Sequence, residues 1–574
     1  MKQFRTALIV MITCIVFFST ASLVAADETG YLRVAYPSTS LSTIDQALVS
    51  DNSQYVESMN VGVLRQNEFS GALEFGMATD QQMSEDGTVF TYKLLENVPW
   101  VRYNPTTDQV EKVLDCDGNV RMVKAQDFVY AVERVLRPST AADYAYILSL
   151  IKGAEEYNTA PEGTVSFDTV GVKALDDYTI QYTFKDPGVF NINILSMWMI
   201  MAQPSWIIEG DACNEKLGEK WVETGNYQSY GPFTLKEWVH DSNLTLIKNP
   251  YWPGTESVPQ AKLPGVHIAI LEDSAALAEF EAGNMDVAKV PISDYDRIVS
   301  DPVLSKMAVE VPGDIGTEFL TLNPTVPPTD DVRVRKALSM SVDKQAIVKT
   351  LKTGKVASIF IHPALSGAPH EEDFPELGID YDPEGAKQLI QSYCDEKGIE
   401  PKDITISFIY PTREDLKIYV EAIQFMWQNT LGINVNLKNT EWDVFKVERM
   451  ESKENVYRST WTNDYMDANN FTADMFLCGA TIQKIADWPS KDCTDVSNPA
   501  YQDYAQTVIA AGKETDPAKR AALYAHSEEI IVSQEVIIIP VYYYTGLELR
   551  NPKLVATVSN TGNNRWEKWE FKED

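Results

Sequence analysis

Residues 461–471, WTNDYMDANNF, place two carboxylates and three amides within eleven residues of one another, behind a tryptophan. Two chemistries suit such a loop. A carboxylate such as Asp464 can pair with an ammonium group that has left water. The oxygens of Asp464, Asp467, Asn469 and Asn470 can instead ligate calcium, but the spacing lacks the glycine and terminal glutamate of an EF-hand. Read alone, Asp464 is a turn residue capping its own loop, and Trp461 is a core side chain. No HExxH, GxSxG, Walker loop or CxxC is present, so no catalytic residue, metal or cofactor is assigned. The competing class is a secreted hydrolase using a carboxylate pair, for which 83 acidic residues offer too many candidates to choose among.

The elements that must carry this loop belong to a long, acidic chain. Its 574 residues exceed a single core, and the alternation of strand-like and helical segments, with no repeats or low-complexity tracts, reads as α/β. Lys2 and Arg5 precede an apolar run from Ala7 to Val24, and Val24-Ala25-Ala26 leads to Asp27. That is the pattern of a secretory signal peptide cleaved after Ala26. A lipid anchor on Cys14 is not expected, because no small residue stands beside it. The formal charge is −34, and loss of Lys2 and Arg5 with the leader makes it more negative still. Nucleic acid is therefore not expected as a partner. Of the cysteines beyond the leader, Cys478 and Cys493 are the preferred local disulfide and Cys116 with Cys213 the weaker pairing. Cys394, on a helix face, is the expected free thiol.

Local patterns place several elements. Residues 230–252, YGPFTLKEWVHDSNLTLIKNPYW, alternate as a half-buried hairpin. AQDFVYAVERVLRP, 125–138, has Phe128, Ala131, Val132, Val135 and Leu136 at helical spacing. Asp382 and Pro383 open a helix that Gly398 closes. In DDVRVRKALSMSVDK, 330–344, Asp330 or Asp331 caps a helix whose Arg333 and Arg335 read as structural.

GPF followed by KNPYW resembles the GPY and RNPxYW pattern of the family-5 extracellular solute-binding proteins, which include the oligopeptide receptors of bacterial ABC importers. GTVFTYKLLENVPW at 87–100, the 125–138 helix, GVKALDDYTIQYTF at 171–184, AGNMDVAKVP at 282–291 and the terminal IIIPVYYYTGLELRNPKLVA extend the resemblance over nearly the whole chain. Near the start, LSTID resembles T-L-D-P with Gln46 in place of proline.

The resemblance implies a two-lobed periplasmic-binding-protein-like fold: lobe one from 27–312 and 534–574, with an extra subdomain at 66–199, and lobe two from 313–533. Hinge segments are expected at Gly313–Asn323 and Val536–Tyr544, with the ligand between the lobes. WTNDYMDA resembles the W-x-x-D-Y-x-D-P loop of the peptide-binding members, with Ala468 replacing proline. That makes Asp464 the partner of a peptide α-amino group and places Trp461 beside the ligand. The strand through Thr460, Thr462 and Asn463 would pair with peptide backbone, and Tyr144, or its neighbour Tyr146, would reach the ligand from the subdomain. The implied partners are a peptide, a membrane permease and its ATPase subunits, with the protein itself an exported monomer. Receptors for oligosaccharide, nickel or haem are the alternatives within the same family.

Overall fold

The structure, a computed structural model, describes residues 30–37, 43–49, 53–561 and 564–572, without the side chains of residues 414 and 415. The leader expected at 1–26 lies outside the described residues. Among them, no helix is long and apolar enough to cross a membrane.

The first body is built on a four-stranded sheet in the order Leu32–Tyr36, Gly265–Ile270, Asn243–Lys248, Phe233–Val239. The last two form the hairpin that the alternation predicts, with a register shift between Leu235 and Glu237. The residues around it serve packing. A Cβ on Gly231 would come within 2.7 Å of the Met59 backbone, so only glycine fits there. Asn249 donates its side-chain N–H to the Gly231 carbonyl at 2.8 Å, and Trp252 is fully buried with its indole N–H on the Val258 carbonyl.

A second four-stranded sheet, Ala78–Met83, Val89–Leu94, Thr179–Thr183 and Val172–Asp176, shares one core with the first. The helix Ala125–Leu136 lies against it, burying Phe128, Val132 and Val135. Its Arg134 makes two 2.6 Å bonds to Asp45, fixing the start of the chain to this helix.

The second body is a six-stranded sheet in the order Lys355–Val356, Ile538–Tyr543, Gly316–Leu322, Val456–Thr462, Thr405–Pro411, Asn434–Thr440. Successive residues feed opposite faces: Leu320, Phe408 and Ile539 enter one core, Phe319, Ile409 and Ile538 another. The first of these cores is covered in part by the helix Pro383–Lys397, capped by Asp382 and ended by Gly398 at φ +68°, as its sequence predicts. Asp331 caps Val332–Met340. Arg333 pairs with Asp331 and Glu396, and Arg335 with the Glu535 carbonyl, all within this body.

The chain crosses between bodies twice, side by side. Ala308–Val311 pairs with Gly546–Arg550 in a small sheet, and beyond the crossings Thr317 pairs with Tyr543. Residues 312–315 and 544–545 are therefore the connections. Gly313, at φ +71°, lets them touch, since a Cβ there would lie 3.1 Å from the Tyr544 carbonyl carbon. Residues 534–543, expected from the sequence in lobe one, are corrected by this topology. Ile538–Tyr543 is a central strand of the second body, and its unbroken apolar run suits a strand covered on both faces.

Two disulfides, Cys116–Cys213 and Cys478–Cys493, join the pairs weighed from the sequence, and Cys394 is a buried free thiol.

Candidate functional site

The two bodies enclose a cavity of about 1480 Å³. The strand Val456–Thr462 brings its C-terminal end to this cavity and the loop after it turns along the wall, so Thr462, Asn463 and Asp464 line it. Tyr144 lines it from the opposite body.

Asp464 is half-buried on the cavity wall, and groups from both bodies meet its carboxyl. Its Oδ2 accepts from the Tyr146 hydroxyl at 3.0 Å and from Asn470 Nδ2 at 3.1 Å, and the Tyr144 hydroxyl bonds to the same carboxyl. Burial holds this carboxyl above the usual carboxylate range, against those three neutral donors. Among the described residues no cationic side chain pairs with it.

Asn470 organises the loop. Its carbonyl oxygen accepts from the Trp461 indole N–H at 3.1 Å and from the Asp464 backbone N–H at 2.9 Å. Its amide donates to Asp464 and, at 3.0 Å, to Asp474. Trp461 packs partly buried against the core of the second body and reaches Asp464 only through Asn470. Thr460 does not itself line the cavity; its hydroxyl bonds to Tyr544, which does. Asp467 is fully engaged by Arg520, at 2.7 and 2.9 Å, so it anchors the loop and is not available to a cation.

Two strand edges face the cavity. Asn463 donates its N–H toward the Gly316–Leu322 strand, at the Ile315 carbonyl. By the two-residue period the N–H and C=O of Thr462 point to the other edge, where the pairing with Thr405–Pro411 ends at Tyr457. On the first body, Arg33 uses its N–H and C=O on Asp286, away from the neighbouring strand. Ala35, two residues on, points to that same outer edge and lines the cavity. The edge at Ala35 is not legible in the sequence, which gives a strand there but not its position in a sheet.

The bodies also touch where Phe190 of the first stacks on Tyr465 of the second, 6.3 Å between centroids, and Val189 donates to the Gly512 carbonyl. A second, smaller cavity near Arg121 and Trp206 lies within the first body, apart from these residues.

Comparison with known proteins finds relatives over most of the chain. The family model described as bacterial extracellular solute-binding proteins, family 5 Middle, matches residues 72–483. The chain is 30% identical to the dipeptide-binding protein DppE of Bacillus subtilis over 84% of its own length and 81% of the relative's. It is 29% identical to the oligopeptide-binding protein OppA of the same organism, over 88% and 86%. Among solved structures, the Escherichia coli murein tripeptide binding protein MppA superposes with a TM-score of 0.70, at 23% identity, over 95% of this chain and 99% of that one.

Proposed function

The chain belongs to the bacterial extracellular solute-binding proteins of family 5, and we propose that it is the oligopeptide receptor of an ABC importer, which closes its two lobes around the ligand outside the cytoplasm. The observation that carries this reading is Asp464, a half-buried carboxyl that meets only neutral donors among the described residues, on the wall of a cavity between two open strand edges. A buried carboxylate without a cation is costly, and a peptide's α-ammonium supplies the missing charge. The peptide backbone would then pair with Thr462 on one side and Ala35 on the other. Reading backbone by strand addition leaves side chains in open space and tolerates many sequences.

Trp461 and Thr460 support the site from behind in this reading, while Thr462, Asn463 and Tyr144 border the ligand. The moving bodies divide at 312–315 and 544–545. The protein acts as an exported monomer after cleavage near Ala26, returns its ligand unchanged, and delivers it to a permease whose ATPase subunits supply the energy. The names of the relatives, binding proteins for dipeptides and oligopeptides, support the ligand class.

Native mass spectrometry of protein purified without denaturation tests the reading. A released ladder of short peptides is the expected result; released glycan, nickel or haem would move the function to another branch of the family.

A further inference from the structure

Behind Asp464 lies a second carboxyl, with which no cationic side chain pairs among the described residues. Asp474 is half-buried as a residue; it accepts from the Tyr465 hydroxyl at 2.7 Å and from the same Asn470 nitrogen that holds Asp464. Asn470 is 0% exposed, and its amide group is spent wholly on this arrangement: two carboxyls as acceptors, and Trp461 and the Asp464 N–H as donors. The groups that face the pair are neutral or already paired. Tyr144 and Tyr146 face Asp464 from the first body. Tyr465 and Tyr524 flank Asp474, and Asp467 nearby is neutralised by Arg520.

We propose that Asn470 is the positioning residue of the ammonium site and that it ties Asp464 to Asp474 as a pair holding one proton when the cavity has no ligand, so that capture of an ammonium group releases that proton to solvent. This rests on the peptide reading above for the identity of the ligand, but not for the existence of the pair. Two half-buried carboxyls bridged by one fully buried amide repel each other when both are ionised, so their titrations are coupled. The empty pair with one proton carries a single negative charge. An ammonium placed against Asp464 contributes one positive charge; the proton departs from the pair, and the net charge of the site returns to minus one. Burial, with the nearby Asp464 charge adding to it, pushes Asp474 up to about 6, which puts the exchange within the range of ordinary media. Capture therefore strengthens as pH rises from 5 to 7, by at most about tenfold per unit for one proton.

The pair is tested without ligand by carboxyl carbon NMR of aspartate-labelled protein. The signal that disappears in Asp474→Asn should titrate near pH 6 in the wild type and move to lower pH in Asp464→Asn. An unmoved midpoint would overturn the coupling. Calorimetry at pH 6 in two buffers of different ionisation enthalpy, with a mixture of free tetrapeptides, should show proton release by the wild type and little by Asp474→Asn. Equal release by both would also overturn it. In Asn470→Ser the preference for free over N-acetylated tetrapeptides should shrink at least tenfold; an unchanged preference would remove Asn470 from the positioning role. A coupled NMR titration with no peptide bound would leave the pair standing and remove the peptide reading instead.

Discussion

Tyr146 donates its hydroxyl to Asp464 at 3.0 Å across 318 residues of chain, joining the two bodies over the cavity wall. The bond makes Asp464 part of the closed arrangement as well as of the ligand site. Asp464→Ala should weaken a peptide with a free N-terminus by roughly 2–5 kcal/mol, the usual cost of truncating one partner of a buried charge pair. Toward an N-acetylated peptide the loss should be smaller, about 1–2 kcal/mol, because only the Tyr146 bond goes with it. Tyr146→Phe should cost about 1–2 kcal/mol toward both, because it removes a bond between bodies. Titration calorimetry with the two peptide forms separates these patterns, and equal losses from Asp464→Ala would dismiss its charge role.

Gly512 sits one residue from the end of the helix Pro499–Lys513, where a Cβ would come within 2.9 Å of Phe190 on the other body. Within a helix, alanine is ordinarily better than glycine by up to about 1 kcal/mol. Gly512→Ala should therefore hold or raise the melting temperature of the ligand-free protein. Overpacking at Phe190 should nevertheless weaken ligand binding, by about tenfold for each 1.4 kcal/mol of strain. Parallel melting and binding measurements check the opposite signs.

Glu528 accepts the backbone N–H groups of Phe360 and Ile361 at 2.9 and 2.6 Å from a fully buried position. Burial pushes it up to about 7, against those two donors. A carboxyl raised in the folded state favours folding below its unfolded value, near 4.5, and loses that contribution as pH rises through 7. It should account for about 3 kcal/mol of lost stability between pH 4.5 and 8. Glu528→Gln should flatten that slope in urea melts taken across the range, and an unchanged slope would reassign the titration.

Cys394 is 0% exposed on the core-facing side of its helix. In protein that has lost its leader, and Cys14 with it, a thiol reagent should find no reactive group in the native state and one per chain after unfolding. Reducing Cys116–Cys213, which spans 97 residues, should cost more stability than reducing Cys478–Cys493, which spans 15. Loop-closure entropy puts both in the range of about 3–5 kcal/mol. Thermal melts of the two serine double variants give the comparison.

Much of the architecture is legible locally. The 233–248 hairpin and the 125–136 helix show in their periods because burial on one face repeats every two or three to four residues. Gly231 and Asn249 are recognisable as a motif although their reason, contact with the Met59 backbone and the Gly231 carbonyl, is visible only in three dimensions. The open edges at Ala35 and Thr462 are not legible. An edge is defined by a neighbour that is missing, and sheet order is set by strands hundreds of residues apart. Asn470 is similarly hidden: in the sequence it is one amide among several in a polar loop, and its role follows from four hydrogen bonds meeting it at once. Ile538–Tyr543 shows the reverse case, where a plainly strand-forming run gives no indication of which body claims it.

The size of the enclosed space sets how the protein grades its ligands. At roughly 30 Å³ per molecule, 1480 Å³ holds several tens of waters, far more than an ammonium group and two strand edges can hold in place. A bulky side chain expels this water and a small one leaves it behind as filler that adapts its hydrogen bonds to whatever borders it. Differences in affinity among ligands of equal length should then be shallow and should track apolar surface, so that solvent acts as the adjustable lining of the site.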